Sequence, residues 1–453
     1  MFGFEVPARE WAFARAYIGS AMGIAKQKTK QLGEWPASDA AQDLLVQYGS
    51  ILQRIGGRRF LLDARDKYEE LVKELHKEGR GPEAARWGAK MGDLTKRLGE
   101  SGDAWWIWAV RTAAGDKVPL PAAVLPAVGP VDEIPDPKPT RWWFSRPSRP
   151  ASVFTSKPDF LPTEMPKSPL AERVMANALV ALSAQWAEDG RLRQALELEK
   201  ASLRLLGGVL PPSYTSNPPT LPKAVTAASS TQPSQTATDP AAKRLHLLSL
   251  SHARALLQIH QAEVLFSLSL SLKHPFHSSS LDLLQAAARQ AEYAISQLTA
   301  IPLTHPDFPE SPLPAIPTPD AELDGVWSNS SVLKEPSRRL LRDARRTAAH
   351  AWALSAVLYE RQGEWLKAYE CAERGMEWVA AGRVLTDFSR SPEAATKGRE
   401  GLVAEFAETF EVHQRTRMKM LQYTHGTVVD PTKDNVADKS GEAKGKAKAK
   451  EGK

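Results

Sequence analysis

Cysteine occurs once in the 453 residues, at Cys371, so neither an intrachain disulfide framework nor a cysteine zinc cluster is available. Long apolar runs are missing as well. One candidate, residues 264–272, is nine uncharged residues rich in serine, against about 20 apolar residues for a membrane crossing. The chain opens Met1-Phe2-Gly3-Phe4-Glu5 and carries Glu10, without the basic segment and apolar core of a secretory signal. Charge of one sign is scarce too. The formal charge is +6, and residues 433–453 hold seven lysines against four acids, so half of the excess sits there. A nearly balanced body argues against wholesale electrostatic binding of nucleic acid. Catalytic signatures are also absent: there is no G-x-S-x-G elbow, no phosphate-binding Walker loop and no H-E-x-x-H. His274 and His277 are three apart with no carboxylate or cysteine beside them, and His246, His252 and His260 do not share a helical face at ligand spacing. The expectation is a protein that is not an enzyme and holds no cofactor or metal.

Proline, by contrast, is abundant, with 34 in the chain, too many for a uniformly folded one. Between the proline-rich stretches the pattern is helical, and it is clearest over residues 347–379. Trp352, Ala356 and Tyr359 fall on one helical face, Gly363 breaks the run, and Trp365, Ala368, Ala372 and Gly375 fall on a second. Small residues at Ala356, Ala368 and Ala372 let two helices approach while the aromatics fill the flanks. This order of large, small, aromatic, turn glycine, small, small resembles a tetratricopeptide repeat over about its first 24 positions. Cys371 falls where a small packing residue belongs.

The same pattern recurs along the chain. Residues 9–32 can form a basic amphipathic helix with Trp11, Ala14, Ile18, Ala21 and Ala25 on one side, which would cap the first repeat. In residues 43–74, Leu45, Gly49 and Leu52 make a first face, Gly56 and Gly57 the turn, and Ala64, Tyr68 and Leu71 the second. In residues 83–112, Gly92 and Ala104 take the small positions, followed by Trp105, Trp106 and Trp108. Three tryptophans within four residues cannot all point into one hairpin, since a helix turns about 100° per residue; at least one should face a further neighbour. Residues 178–190 repeat the pattern with Leu179, Leu182, Trp186 and Gly190, followed by Ala195. Residues 241–272 form a long, nearly uncharged helix that needs burial on more than one side, with a partner at 280–298.

The resulting organisation is all-α, an irregular tetratricopeptide-like solenoid of helical hairpins with long inserts. Residues 9–114 hold the N-terminal hairpins, 115–169 a proline-rich loop, 170–210 a hairpin and 213–240 a disordered linker. Residues 241–300 hold another hairpin, 301–336 a second proline-rich loop, 337–423 the C-terminal repeat and closing helix, and 424–453 a basic disordered tail. The cluster Arg141-Trp142-Trp143-Phe144 in the first loop reads as docking back onto the helices, with stacking on single-stranded nucleic acid as the other option. The first helices around residues 46–47 and 179–180 show no basic cluster to grip an acidic group.

The run Ala178-Leu-Val-Ala-Leu-Ser with Trp186 and Gly190, the hairpin at 353–375 and the widely spaced repeats together resemble one fungal family. This is the tetratricopeptide adaptor subunit of the mitochondrial inner-membrane i-AAA protease supercomplex. The resemblance covers about half of the chain. It implies an adaptor or scaffold that binds other proteins or peptide segments, with a membrane protease complex as a partner, and a mitochondrial rather than cytoplasmic place. Members of that family carry an N-terminal membrane anchor, and no such span is read in this sequence. The competing class is a helical-repeat organellar RNA-binding factor. Reading one base per repeat demands regular spacing, and the turn glycines at Gly56, Gly99, Gly190 and Gly363 are irregular.

Overall fold

A computed structural model describes residues 8–32, 38–121, 159–211, 239–272, 277–300, 323–378 and 403–424. The Arg141–Phe144 cluster, most of the 213–240 linker, His274 and the tail beyond Thr424 lie outside the described residues. Those described are all-helical, without a strand, and pack against their neighbours in sequence order, as a helical solenoid does. They divide into two compact units, Met1–Val209 and Leu210–Lys453. Among the described residues, no helix is long and apolar enough to cross a membrane.

The first unit contains α1 (Ala8–Leu32), α2 (Asp39–Ile55), α3 (Arg58–Lys77), α4 (Gly81–Arg97), α5 (Asp103–Ala113), α6 (Pro169–Glu188) and α7 (Leu192–Val209). Helix starts follow local chemistry. Ser38 caps α2 by accepting a hydrogen bond from the Ala41 amide at 3.3 Å, with Asp39 in the first turn. Proline stands in the first turn of α4 and α6, where its missing N–H leaves no bond unmade.

Helix ends share one device. Gly79, Gly99, Gly115, Gly190 and Gly363 have φ between +77° and +97°. Each glycine amide donates to the carbonyl three residues back, and the following amide donates to the carbonyl five back, as in Glu364 N to Tyr359 O at 3.0 Å. Such a left-handed stop suits glycine because a Cβ would clash. Gly79 and Gly115 do this as well as Gly99, Gly190 and Gly363, whereas the amide of Gly56, which ends α2, donates four residues back to Leu52.

Glycines also notch the helix contacts in the first unit. A Cβ on Gly49 of α2 would lie 2.6 Å from the Tyr68 ring of α3; on Gly88 and Gly92 of α4 it would lie 2.4 Å from Trp108 and 2.5 Å from Trp106 of α5. Trp105, Trp106 and Trp108 are all buried, because α5 is flanked by both α4 and α6. Ala104 is a correction: it is exposed in the first turn of α5, and the close approach is made by Gly88 and Gly92 on the facing helix. Helix α1 covers α2 with one side, where Ala14, Ile18, Ala21 and Ala25 are half-buried. Its other side leaves Phe13, Tyr17 and Ile24 in solvent; the side chain of Trp11 lies outside the described residues.

The second unit contains α8 (Pro240–Leu272), α9 (His277–Thr299), the single turn α10 (Gly325–Ser328), α11 (Lys334–Gln362), α12 (Trp365–Trp378) and α13 (Val403–Thr424). Between residues 245 and 269 no side chain of α8 is exposed, in keeping with its nearly uncharged sequence. The region read as a surface loop at 301–336 is corrected at its far end. Trp327 is fully buried, its indole N–H donates to the Gln297 carbonyl at 3.2 Å, and Arg244 lies over its ring. A large aromatic just past the proline run gains more from burial than the segment loses in chain freedom.

Candidate interaction surface

Helices that are not adjacent in the order also touch. Beside the sequential contacts, α4 packs on α6, α8 on α11 and α11 on α13. The first helices of two successive pairs, α4 and α6 in the first unit and α8 and α11 in the second, therefore lie side by side.

The strongest of these ties is a buried carboxylate. Glu292 of α9 accepts at one oxygen from the indole N–H of Trp352 (2.8 Å), the Nε of Arg374 (2.7 Å) and the indole N–H of Trp378 (2.8 Å). Its other oxygen accepts from Arg374 at 2.9 Å. The two charged side chains are 1% and 3% exposed, and the Arg374 guanidinium also lies 5.1 Å from the Trp352 ring centre. One carboxylate thus locks α9, α11 and α12 together. The first unit has a more open version. Asp103 at the start of α5 accepts from the Trp186 indole of α6 (3.0 Å) and from Arg191 (2.9 Å), and Arg191 stacks over Trp186. Carboxylate, tryptophan and arginine recur, set at different levels of the helices.

Most residues singled out by the repeat pattern are packing residues. Ala64, Tyr68, Ala195, Ala356, Ala368 and Ala372 are fully buried, Trp108, Trp186 and Trp352 nearly so, and Gly56, Gly190 and Gly363 have positive φ. Tyr359 is half-buried and its hydroxyl accepts from Gln285 at 2.9 Å. Glu292, Asp103, Arg191 and Arg374 are absent from that set. A signal was present at Glu292, since an acid between the buried Ala288 and Ile295 on one helical face demands a buried cation.

Charge on the first-helix layer of the first unit is uneven. At one end of the α4–α6 seam, Lys96 and Glu188 pair at 2.8 Å. Toward the other end stand Arg86 of α4, exposed, and Arg173 of α6, half-buried. The Arg173 Nε donates to the Pro169 carbonyl at 3.4 Å, and Arg86 lies over the Trp87 ring. Neither has a carboxylate partner among the described residues. Loss of solvent and then the nearby Arg86 charge push the Arg173 pKa down.

In the second unit, Glu263 of α8 faces His350 of α11 at 3.7 Å with its side chain 13% exposed. Burial pushes the Glu263 pKa up to about 8, so at neutral pH the contact involves a protonated carboxyl and is no ion pair. His350 loses basicity on packing, although its ring keeps nearly half of its surface in solvent. Between the ordinary value of 4.5 and about 8 the folded chain holds a proton that the unfolded chain has released. Stability from this group is therefore full below 4.5 and is lost as pH rises through about 8. Glu377, pushed up to about 7, acts in the same sense but is exposed. The lowered pKa values of His252, His350 and His413 act in the opposite sense toward acid pH, so the expected result is a difference between chains: from about pH 5 to about pH 8 the melting temperature of Glu263→Gln should drop less than that of the parent. An undiminished drop in that variant would remove Glu263 from the account.

Cys371 is buried, and burial pushes its thiol up to about 12, which suppresses the thiolate. Among the described residues no group of three or more His, Cys, Asp or Glu side chains could hold a metal ion. No protein family, no curated protein and no solved structure matches the chain.

Proposed function

We propose that the chain is a protein-interaction scaffold built on tetratricopeptide-like hairpins, whose first helices form the contact surface. The observation that supports this is the lateral packing of first helices, α4 on α6 and α8 on α11 on α13. Stacked hairpins of this kind offer one continuous face to an extended segment or a helix of a partner. The side chains that hold the stack, Glu292 and Arg374 above all, are buried and so unavailable to a ligand. Side chains such as Gln47, Lys90 and Asn177 stand out from α2, α4 and α6. Resemblance to the mitochondrial protease adaptor extends the proposal to membrane-protein quality control in that organelle.

A photo-crosslinking residue placed at Gln47 or Asn177, on first helices, tests this against one at Lys73, exposed on the second helix α3. In nuclease-treated lysate the first-helix positions should yield several-fold more protein adducts than Lys73. Equal yields would contradict the assignment of the face. Loss of every adduct on nuclease treatment would favour the RNA-binding class.

A further inference from the structure

Helix α1 is apolar on two sides. One side packs on α2, where Gly19 comes so close that a Cβ on it would lie 3.7 Å from the Tyr48 ring. The other side stands in solvent. Phe13 is 75% exposed, Tyr17 83% and Ile24 58%. Positions 13, 17 and 24 fall four and seven residues apart on one helical face, and Ser20, which completes the row, is exposed as well. Among the described residues of the first unit, these three are the large apolar side chains left in solvent, and all three stand on α1. An apolar row gathered on one face marks a surface that a partner or a membrane covers.

Charge and shape say what fits there. The sequence of α1 has five lysines and arginines against one acid, and no acid between Phe13 and Lys28. Arg15 and Lys26 turn toward α3, the first 4.9 Å from the centre of the Phe60 ring, the second 3.4 Å from Glu70. Lys28 is exposed one turn beyond Ile24 and has no acid partner among the described residues. Two copies of this face laid together would bring like charges together, so charge disfavours a dimer. A peptide or a helix is held in a groove, whereas this row is the crest of a single helix whose principal contact is α2. A flat anionic surface suits it: aromatics enter the headgroup region and lysines meet the lipid phosphates. We propose that α1 docks the first unit on an anionic lipid surface, lying along it through Phe13, Tyr17 and Ile24 with Lys28 beside them. This goes beyond the scaffold reading and does not depend on it.

The test uses the full chain and two kinds of vesicle, phosphatidylcholine alone and an equal mixture of phosphatidylcholine and phosphatidylglycerol. Flotation should show the mixed vesicles binding at least tenfold more tightly, with the advantage shrinking as salt rises. The variant Phe13→Ser/Tyr17→Ser/Ile24→Ser should lose at least tenfold of that affinity. Its melting temperature should stay at the parent's, because the three side chains stand in solvent. Lys28→Gln should lose about fivefold. The control Val326→Ser/Val332→Ser/Leu366→Ser removes apolar side chains that are 55%, 75% and 60% exposed in the second unit, and should keep the affinity. Because Cys371 is buried, a thiol-reactive dye can be placed selectively in Ser20→Cys. An environment-sensitive dye there should brighten several-fold on mixed vesicles, and the same dye in Lys73→Cys, on α3, should not.

Three outcomes would overturn the docking face: no preference for the anionic vesicles, equal losses in the serine variant and its control, or equal brightening of the dye at both positions. A parent dimer that ignores vesicles and is abolished in Phe13→Ser/Tyr17→Ser/Ile24→Ser, measured by sedimentation, would give the face to a second copy instead. A chain that binds the mixed vesicles yet crosslinks no protein through its first helices would keep the docking face and lose the scaffold. The reverse pattern would keep the scaffold alone.

Discussion

Glu292→Ala should destabilise the second unit by about 3–5 kcal/mol, because it leaves the Arg374 guanidinium buried and unpaired. Domains of ordinary size are stable by about 5–15 kcal/mol, so the loss is a large share of the whole. Glu292→Gln should do nearly as much damage. Its amide oxygen could still accept from one indole, but its NH2 would face donors, and the guanidinium would lack a counter-charge. Arg374→Met leaves the opposite charge buried and belongs in the same range. The pair Glu292→Leu/Arg374→Met should cost clearly less than the two single changes added together, since no buried charge remains. Its residual loss comes from the Trp352 and Trp378 indole N–H groups, left without an acceptor at about 1–3 kcal/mol each. Hydrogen exchange resolved to α9, α11 and α12 measures this without assuming that both units melt together. Full additivity of the single changes would show that the carboxylate and guanidinium are not coupled.

Gly88→Ala and Gly92→Ala should each destabilise the first unit by about 1–3 kcal/mol, against the usual sign for glycine inside a helix. Alanine ordinarily stabilises a helix by about 1 kcal/mol over glycine. Here the added methyl would sit 2.4 Å from the Trp108 ring and 2.5 Å from the Trp106 ring, closer than atoms can pack. Either α5 shifts away from α4 or the indoles leave their rotamers. Trp108→Leu should recover part of the loss in Gly88→Ala, and that recovery identifies the clash as its cause. Gly23 of α1 provides the contrast, for an added methyl there meets nothing within 4 Å. Gly23→Ala should raise stability by about 0.5–1 kcal/mol. Thermal melts of the three variants decide the matter by sign: a stabilising Gly92→Ala would mean that α4 and α5 are less closely packed than described.

The parts of this fold that could be read from sequence are those set by near neighbours. Gly56, Gly190 and Gly363 mark turns because backbone sterics act on the glycine itself, and Ala356, Ala368 and Ala372 report one hairpin whose helices are joined by a short turn. Ala104 misled because it has the right size and spacing, while α5 makes its close approach through its own tryptophans onto glycines of α4. Trp327 was missed since proline content spoke for the whole segment around it. The Glu292–Arg374 pair is 82 positions apart in the chain, so the setting of Glu292 among apolar residues calls for a cation without saying which one. Local rules carry the hairpin; the joining of one hairpin to the next does not show in composition or period.

Packing of neighbour on neighbour also imposes a timetable on synthesis. Among the described residues, the principal partners of α1–α7 all precede Leu210, so the first unit has its complement of helices while the second is still being made. The second has a longer wait. Glu292 leaves the ribosome 82 residues ahead of Arg374, an interval of about 4–16 s at about 5–20 residues per second. Through that interval the carboxylate has no guanidinium to meet, and the apolar faces of α8 and α9 wait for α11 to cover them. A nascent chain halted inside this window would be the form most open to chaperones and proteases.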